Sequence, residues 1–267
     1  MKPRVSIIMG IYNCALTLSE AINSILAQTY TGWKLIMCDD GSKDDTYQIA
    51  QKYQQQYPDK IILIKNDKNL GLNFTLNRCL KYANTEYVAR MDGDDISLPE
   101  RLEKEIEFLD AHPEYSIVST PMIYFDENGE FMRGKGTGEP SIEHMCRGTP
   151  FCHAPCMVRV EAYKAVGGYT VAENRLRVED WDLWIRMYEK GYRGYNLDEH
   201  LYMMRDDRNA VTRRSMKNRL NEVCVSVSAI RRLKLSPVSY VYCLRPILVG
   251  MLPSSVYKVL HVMKRKS

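Results

Sequence analysis

Glu86-Tyr87-Val88-Ala89-Arg90-Met91-Asp92-Gly93-Asp94-Asp95 runs a short apolar segment straight into three carboxylates. Tyr87 to Met91 reads as a buried strand, and Ser97-Leu98-Pro99-Glu100 downstream reads as a helix start with a capping box and an early proline. Acids at the C-terminal end of a strand lie where open α/β sheets bind their ligands. Like charges this close repel unless a cation lies between them. Hard divalent ions take oxygen ligands, and Mg²⁺ is commonly held by one or two carboxylates together with substrate phosphates. The motif therefore suggests a metal holding a diphosphate. A bare Asp-x-Asp is also an ordinary solvated turn, so its meaning depends on its surroundings.

Working outward, apolar runs at Val5–Met9, Leu35–Cys38, Ile61–Ile64 and Ile117–Ser119 read as further strands. Helices fall between them. One opens on Thr17-Leu18-Ser19-Glu20, read as a capping box, with Leu18, Ile22, Ile25 and Leu26 on one face. Others span Asp44 to Tyr57, stopped by Pro58, then Leu72 to Tyr82, and Ser97 to Ala111. This alternation predicts an α/β fold, a mostly parallel sheet with helices on both faces. Tyr12-Asn13, Asp39-Asp40 and Asp92-Gly93-Asp94 each follow a strand, and a right-handed doubly wound sheet puts those ends on one rim. The first strand is not followed by Gly-x-Gly-x-x-Gly, and no Walker sequence is present. Past Tyr124 the pattern loosens. Asp126 to Glu130 reads as a hairpin turn, Gly134, Gly136 and Gly138 as a mobile loop, and Ala162 to Gly167 as a short helix. Glu179 to Glu189 reads as a helix carrying Trp181, Trp184, Ile185 and Tyr188.

The 267 residues are 45% hydrophobic and 26% charged, enough for one sizeable core with an appendage. The net charge of +4 is unevenly spread. Residues 205–267 hold 14 Lys and Arg against 3 Asp and Glu, and the other 204 residues hold 23 against 30. The chain thus divides into an acidic body, 1–205, and a basic extension, 206–267. Met216, Leu220, Val223, Val227 and Ile230 mark an amphipathic helix in that extension, and the apolar segments Tyr240–Leu252 and Val256–Met263 follow it. These segments fit either a helical cap on the core or an interfacial anchor on an anionic membrane. The N-terminus lacks the long apolar region and cleavage site of a signal peptide, and no stretch of ~18 apolar residues spans a bilayer. Eight cysteines form no CxxC pair, which suits a reducing cytoplasm, and the spacing of His144, Cys146, Cys152, His153 and Cys156 matches no standard zinc pattern.

Together these motifs resemble family 2 glycosyltransferases of the GT-A fold. The matching residues are Val5 to Asn13, Gln28-Thr29, Asp39-Asp40-Gly41-Ser42-Lys43-Asp44, Asn69-Leu70-Gly71-Leu72 and Asn77. Asp92-Gly93-Asp94-Asp95, Pro99-Glu100-Arg101-Leu102, His153-Ala154-Pro155-Cys156-Met157, Gly167-Gly168-Tyr169 and Glu179-Asp180-Trp181-Asp182-Leu183-Trp184 complete the set. Gly10 departs from the proline that many members carry in the first-strand turn.

The resemblance implies a metal-dependent, inverting transfer of a sugar from a nucleotide-sugar to a hydroxyl acceptor. UDP is the expected nucleotide, with dTDP and GDP as other donor classes. It implies a nucleotide side built from Gly10, Ile11, Tyr12, Asp39, Asp40, Asn69, Asp92 and Gly93. Tyr12 packs on the base there, and Asp40 accepts from the uracil ring nitrogen. Asp94, with Asp92, would hold Mn²⁺ or Mg²⁺. Asp180 is the expected general base, with Glu179 second, and His153, Trp181, Arg205 and Arg213 are expected near the diphosphate or acceptor. With the basic extension, the resemblance suggests assembly of a surface polysaccharide (O-antigen or capsule) on a lipid-linked acceptor at the cytoplasmic membrane face. Two other readings stay open. A Mg²⁺-dependent nucleotidyltransferase would share the acidic rim but would more naturally carry a phosphate loop. A non-enzymatic membrane-associated binding protein would use only the extension. The acidic body lacks a nucleic-acid-binding surface.

Overall fold

A computed structural model describes residues 2–206 and 215–251. Arg208, Arg213, Arg214 and the Val256–Met263 segment lie outside the described residues. The main sheet has seven strands. β1 (Val5–Ile11), β2 (Trp33–Asp39), β3 (Ile61–Lys65) and β4 (Tyr87–Arg90) pair in parallel, with β1 between β4 and β2 and β3 outermost. The register aligns Ile11 with Asp39 and Ile8 with Arg90. The C-terminal ends of the first, second and fourth strands therefore share one rim, as the sequence leads one to expect.

Beyond β4 the order departs from simple alternation. Counting on in chain order, β5 is Ile96–Ser97, β6 Ile117–Ser119, β7 Met122–Asp126 and β8 Gly129–Arg133. They are followed by β9 (Met157–Arg159), β10 (Gly194–Asn196) and β11 (Tyr202–Arg205). β6 does not lie next to β4. The antiparallel β9 runs between them, and β10 closes that edge in parallel with β6. A smaller sheet orders β5, β11, β7 and β8, with Asp126–Gly129 forming the expected hairpin turn. Gly134 and Gly138 are tied by backbone hydrogen bonds to Met122 and Asn196.

The helices are α1 (Leu18–Leu26), α2 (Thr46–Gln56), α3 (Leu72–Leu80), α4 (Arg101–Ala111), α5 (Val160–Val166), α6 (Glu179–Glu189), α7 (Met216–Arg232) and α8 (Leu244–Gly250). Strand side chains alternate between two cores. Ile7, Met9, Leu35, Met37 and Ala89 face the core shared with α1 and α4. Ile8, Ile36, Cys38, Val88 and Val158 face the other, shared with α3, α5, α6 and α7. Helix α7 buries Val225, Ala229 and Ile230 in that second core beside Trp184 and Met187, so this part of the basic extension packs on the body.

Neither expected capping box forms. The Thr17 hydroxyl donates to the Gly93 carbonyl (3.0 Å), and Glu20 pairs with Arg205. Ser97 lies in β5, where its hydroxyl accepts from Gln28 Nε2, and α4 starts only at Arg101. Both sets of side chains serve tertiary contacts that hold the rim loops, and these override the local capping pattern.

Candidate active site

The acidic loop leaves β4 at the rim. Carboxylate oxygens of Asp92, Asp94 and Asp95 lie within 4.8 Å of one another, the only such grouping of metal-capable side chains among the described residues. Strand β11 fixes the loop. The Asp92 amide donates to the Tyr202 hydroxyl (3.2 Å), the Arg205 amide to Asp95 Oδ1 (2.8 Å), and Arg205 Nε to the Asp94 carbonyl (3.0 Å). Gly93 is required by close approach. A Cβ there would sit 2.9 Å from Cys14 Sγ and 3.2 Å from Ile11 Cγ2. Desolvation, then the neighbouring carboxylates, push both Asp94 and Asp95 above the ordinary carboxylate range. Three converging carboxylates, two of them resisting ionisation, form a donor set suited to a hard divalent cation, so Mn²⁺ or Mg²⁺ fits these residues.

The nucleotide side occupies the neighbouring strand ends. Tyr12 is 43% exposed, a free aromatic surface at the rim. Asp40 is buried and accepts from the Leu70 and Gly71 amides (2.8 and 2.9 Å) and from Asn66 Nδ2 (2.7 Å). It thereby anchors the Asn69–Gly71 turn to β2, and three of its roughly four acceptor positions are used. Asn69 itself is exposed. Asp39 is buried. Its Oδ2 accepts from the Ser42 amide (3.3 Å), while Oδ1 has no partner. Gly10 packs against α3, where a Cβ would meet Leu72 at 3.1 Å and Thr75 at 3.3 Å. Ile11 is core.

Glu179 and Asp180 open α6, where the helix dipole favours acids. Burial raises both above the ordinary carboxylate range, and the Asp180 charge raises Glu179 further. The Trp181 amide, the Thr149 hydroxyl and the Arg90 charge favour the ionised form and offset part of the burial effect. Asp182, one turn in, is structural. It accepts from Arg175 (2.7 Å), Arg186 (2.8 Å) and Thr170 (2.7 Å). Trp181 corrects an expectation. Its indole is buried and donates to the Met145 carbonyl (2.6 Å), and Trp184 is also buried, so neither offers an open stacking face for a sugar. His153 Nε2 meets the Tyr169 hydroxyl at 2.8 Å. Burial, with the Arg90 charge, holds His153 well below the usual imidazole range, and it is neutral at physiological pH.

Sequence reading assigns no role to Arg90, although a guanidinium inside a buried apolar run is itself a signal, because such a charge needs partners. Arg90 is 4% exposed, bonds the Asp92 carboxylate through Nη2 and leaves Nε without a partner. Its charge acts on Asp94, Glu179, Asp180 and His153, so the acidic loop and the start of α6 surround one buried cation. Tyr202, also unassigned in the sequence, orients Asp92. Arg205 stacks over Phe125 (4.5 Å) against the acidic loop.

The chain matches the Glycosyl transferase family 2 profile over residues 6–167. It is 46% identical to EpsE of Bacillus subtilis (strain 168), covering 97% of this chain and 93% of EpsE. It is 29% identical to WfaP of Escherichia coli, a UDP-Glc:α-D-GlcNAc-diphosphoundecaprenol β-1,3-glucosyltransferase, covering 72% of this chain and 73% of WfaP. Among solved structures, Staphylococcus aureus TarS superposes with a TM-score of 0.68 at 19% identity, over 96% of this chain. The chain spans 45% of full-length TarS. The 1–349 fragment of TarS in complex with UDP-GlcNAc superposes with a TM-score of 0.66 at 20% identity, over 96% of this chain and 83% of the fragment. With the mostly parallel sheet and acidic rim described above, these matches identify the chain as a glycosyltransferase belonging to glycosyl transferase family 2.

Proposed function

We propose that the protein is an inverting, metal-dependent glycosyltransferase that moves a sugar from a UDP-sugar to a hydroxyl of a lipid-diphosphate-linked saccharide. The observation that carries this reading is the pairing of a three-carboxylate loop with an enclosed helix-start acid, Asp180, around Arg90. The activity of WfaP, with a UDP-sugar donor and a diphospholipid acceptor, supports the donor and acceptor classes. Surface polysaccharide assembly on the cytoplasmic membrane face is the corresponding setting.

Tyr12 packs against the base, and Asp40, with one acceptor position left, takes the ring N–H while it fixes the Asn69–Gly71 turn. Asp94 and Asp92 would hold Mn²⁺ or Mg²⁺, with Asp95 and Arg205 bracing their loop. When bound, the ion supplies charge stabilisation for the departing diphosphate. Asp180 accepts the acceptor hydroxyl's proton as that oxygen attacks the anomeric carbon from the face opposite the diphosphate. The bond from carbon to the diphosphate oxygen breaks, and the configuration inverts. Asp180 does not need a pKa near that of a free hydroxyl, because the proton becomes acidic only as attack proceeds. Neutral His153 donates or accepts one hydrogen bond at the wall beside Tyr169 without adding charge. Product analysis with UDP-sugars tests the reading. Free UDP supports glycosyl transfer. Inorganic pyrophosphate from a nucleoside triphosphate would instead identify a nucleotidyltransferase.

A further inference from the structure

The apolar residues of the C-terminal helices do not all face the core. A 3-10 segment, Pro237–Cys243, continues directly into α8. Its inward side is buried at Ser239, Cys243 and Pro246. The opposite side exposes Val238 (76%), Val241 (56%), Leu244 (55%), Leu248 (62%) and Met251 (72%). Their spacing of three, three, four and three residues makes one ridge along the helical run. Isolated exposed leucines are ordinary, whereas a continuous ridge marks an interaction surface.

The charge of the C-terminal segment that carries the ridge is one-sided. From Val223 onward the 45 residues include eight Lys and Arg and no Asp or Glu. Of these, Arg231, Lys234 and Arg245 are exposed, Lys234 just ahead of the run and Arg245 within it, while Arg232 is paired with Glu189. A protein partner with an acidic face would meet this charge but would not need five aligned aliphatic side chains on its own account. An anionic bilayer meets both, with headgroup phosphates for the guanidinium and ammonium groups and acyl chains for the ridge. No described helix is long and apolar enough to cross a membrane, so the contact lies in the interface plane.

We propose that the Val238–Met251 ridge is a monotopic docking surface that seats the enzyme on an anionic lipid bilayer. The ridge is wired to the catalytic wall. Cys243 Sγ contacts Ser226 Oγ (3.3 Å), Ser226 Oγ donates to the Cys146 carbonyl (2.5 Å), and the Met145 carbonyl accepts from the Trp181 indole (2.6 Å), adjacent to Asp180. Arg147 lies over Tyr242 at 4.2 Å. These contacts keep the wall that carries Asp180 close to the docked run, and so close to a bilayer that presents the lipid-linked acceptor of the reading above; docking itself does not rest on that reading.

The test is flotation of the full chain with phosphatidylcholine vesicles and with vesicles containing 30% phosphatidylglycerol, alongside the Leu244→Glu/Leu248→Glu variant. Binding should appear with phosphatidylglycerol, weaken at 0.5 M NaCl, and fall about tenfold or more in the variant. The variant should keep its melting temperature and its UDP binding with Mn²⁺, because both leucines point away from the core and the rim. Equal flotation of variant and wild type, or none by the wild type, overturns the proposal. A wild-type dimer in solution that the variant dissociates also overturns it and assigns the ridge to a second copy. Loss of UDP binding in wild type would refute the donor reading and leave flotation unaffected, so the two failures are distinguishable.

Discussion

Replacing Arg90 with methionine tests the idea that one buried cation organises the site. Methionine keeps the apolar stem and removes the charge. Arg90 is 4% exposed, and the Asp92 side chain that it bonds is 29% exposed. Removing one partner of a buried pair costs about 3–5 kcal/mol. Water at the half-open Asp92 offsets part of this, which leaves about 3 kcal/mol. For a chain of this size that lowers the melting temperature by roughly 6–12 °C. A divalent cation acts in the opposite sense. At a hundred times its Kd it adds about 2.7 kcal/mol. In the variant it also relieves carboxylate repulsion that Arg90 otherwise compensates. Thermal melts of both proteins in EDTA and in Mn²⁺ should show a large deficit for Arg90→Met in EDTA and a larger Mn²⁺-induced rise than in wild type. A variant as stable as wild type in EDTA, or an equal Mn²⁺ shift in both, would refute the reasoning.

Other outcomes follow from the same geometry. Asp182→Ala strands Arg175 and Arg186, whose side chains are 16% and 13% exposed, and should lower the urea unfolding free energy by about 3–5 kcal/mol. Gly93→Ala forces the acidic loop off Cys14 and Ile11 and should cost about 1–3 kcal/mol while weakening Mn²⁺-dependent UDP binding, read by calorimetry. Burial raises Glu105, despite its bond to Arg101, to about 7 in the folded protein against 4.5 unfolded. The native state therefore holds this proton more tightly. The contribution is fully present below about pH 4.5 and is lost as pH rises through about 7, roughly 3 kcal/mol in all. Urea midpoints from pH 5 to 8 should fall more steeply with rising pH in wild type than in Glu105→Gln, and the difference between the two is the Glu105 contribution.

Much of this was legible from particular residues. Continuous apolar runs that end at Asp39-Asp40 and at Asp92 locate the rim, because strand ends in a parallel sheet share one side. Glu179 and Asp180 at a helix start also stand where expected. What was hidden depends on long-range pairing. β9 reverses direction between β4 and β6, and its three residues carry no local signal for that. β5 and β11 are short strands of the small sheet; β11 holds the acidic loop, and only the pairing reveals it. The capping patterns at Thr17 and Ser97 misled because those hydroxyls bond across 76 and 69 residues instead of to the first turn of their helices. Trp181 is expected near the acceptor, but its spacing with Trp184 and Ile185 is also that of a core face, and both indoles are buried.

The central claim is that Asp94 serves donor binding and Asp180 serves proton removal. The direct measurement is UDP binding and UDP release from a panel of UDP-, dTDP- and GDP-sugars. It uses wild type, Asp94→Ala and Asp180→Asn, each with Mn²⁺ and with EDTA. Wild type should bind UDP only with Mn²⁺ and release one nucleotide class. Asp94→Ala should lose both binding and release, and Asp180→Asn should bind UDP as wild type does and release almost none with acceptor present. Metal-independent UDP binding by folded wild type, or full turnover by Asp180→Asn, would contradict the account.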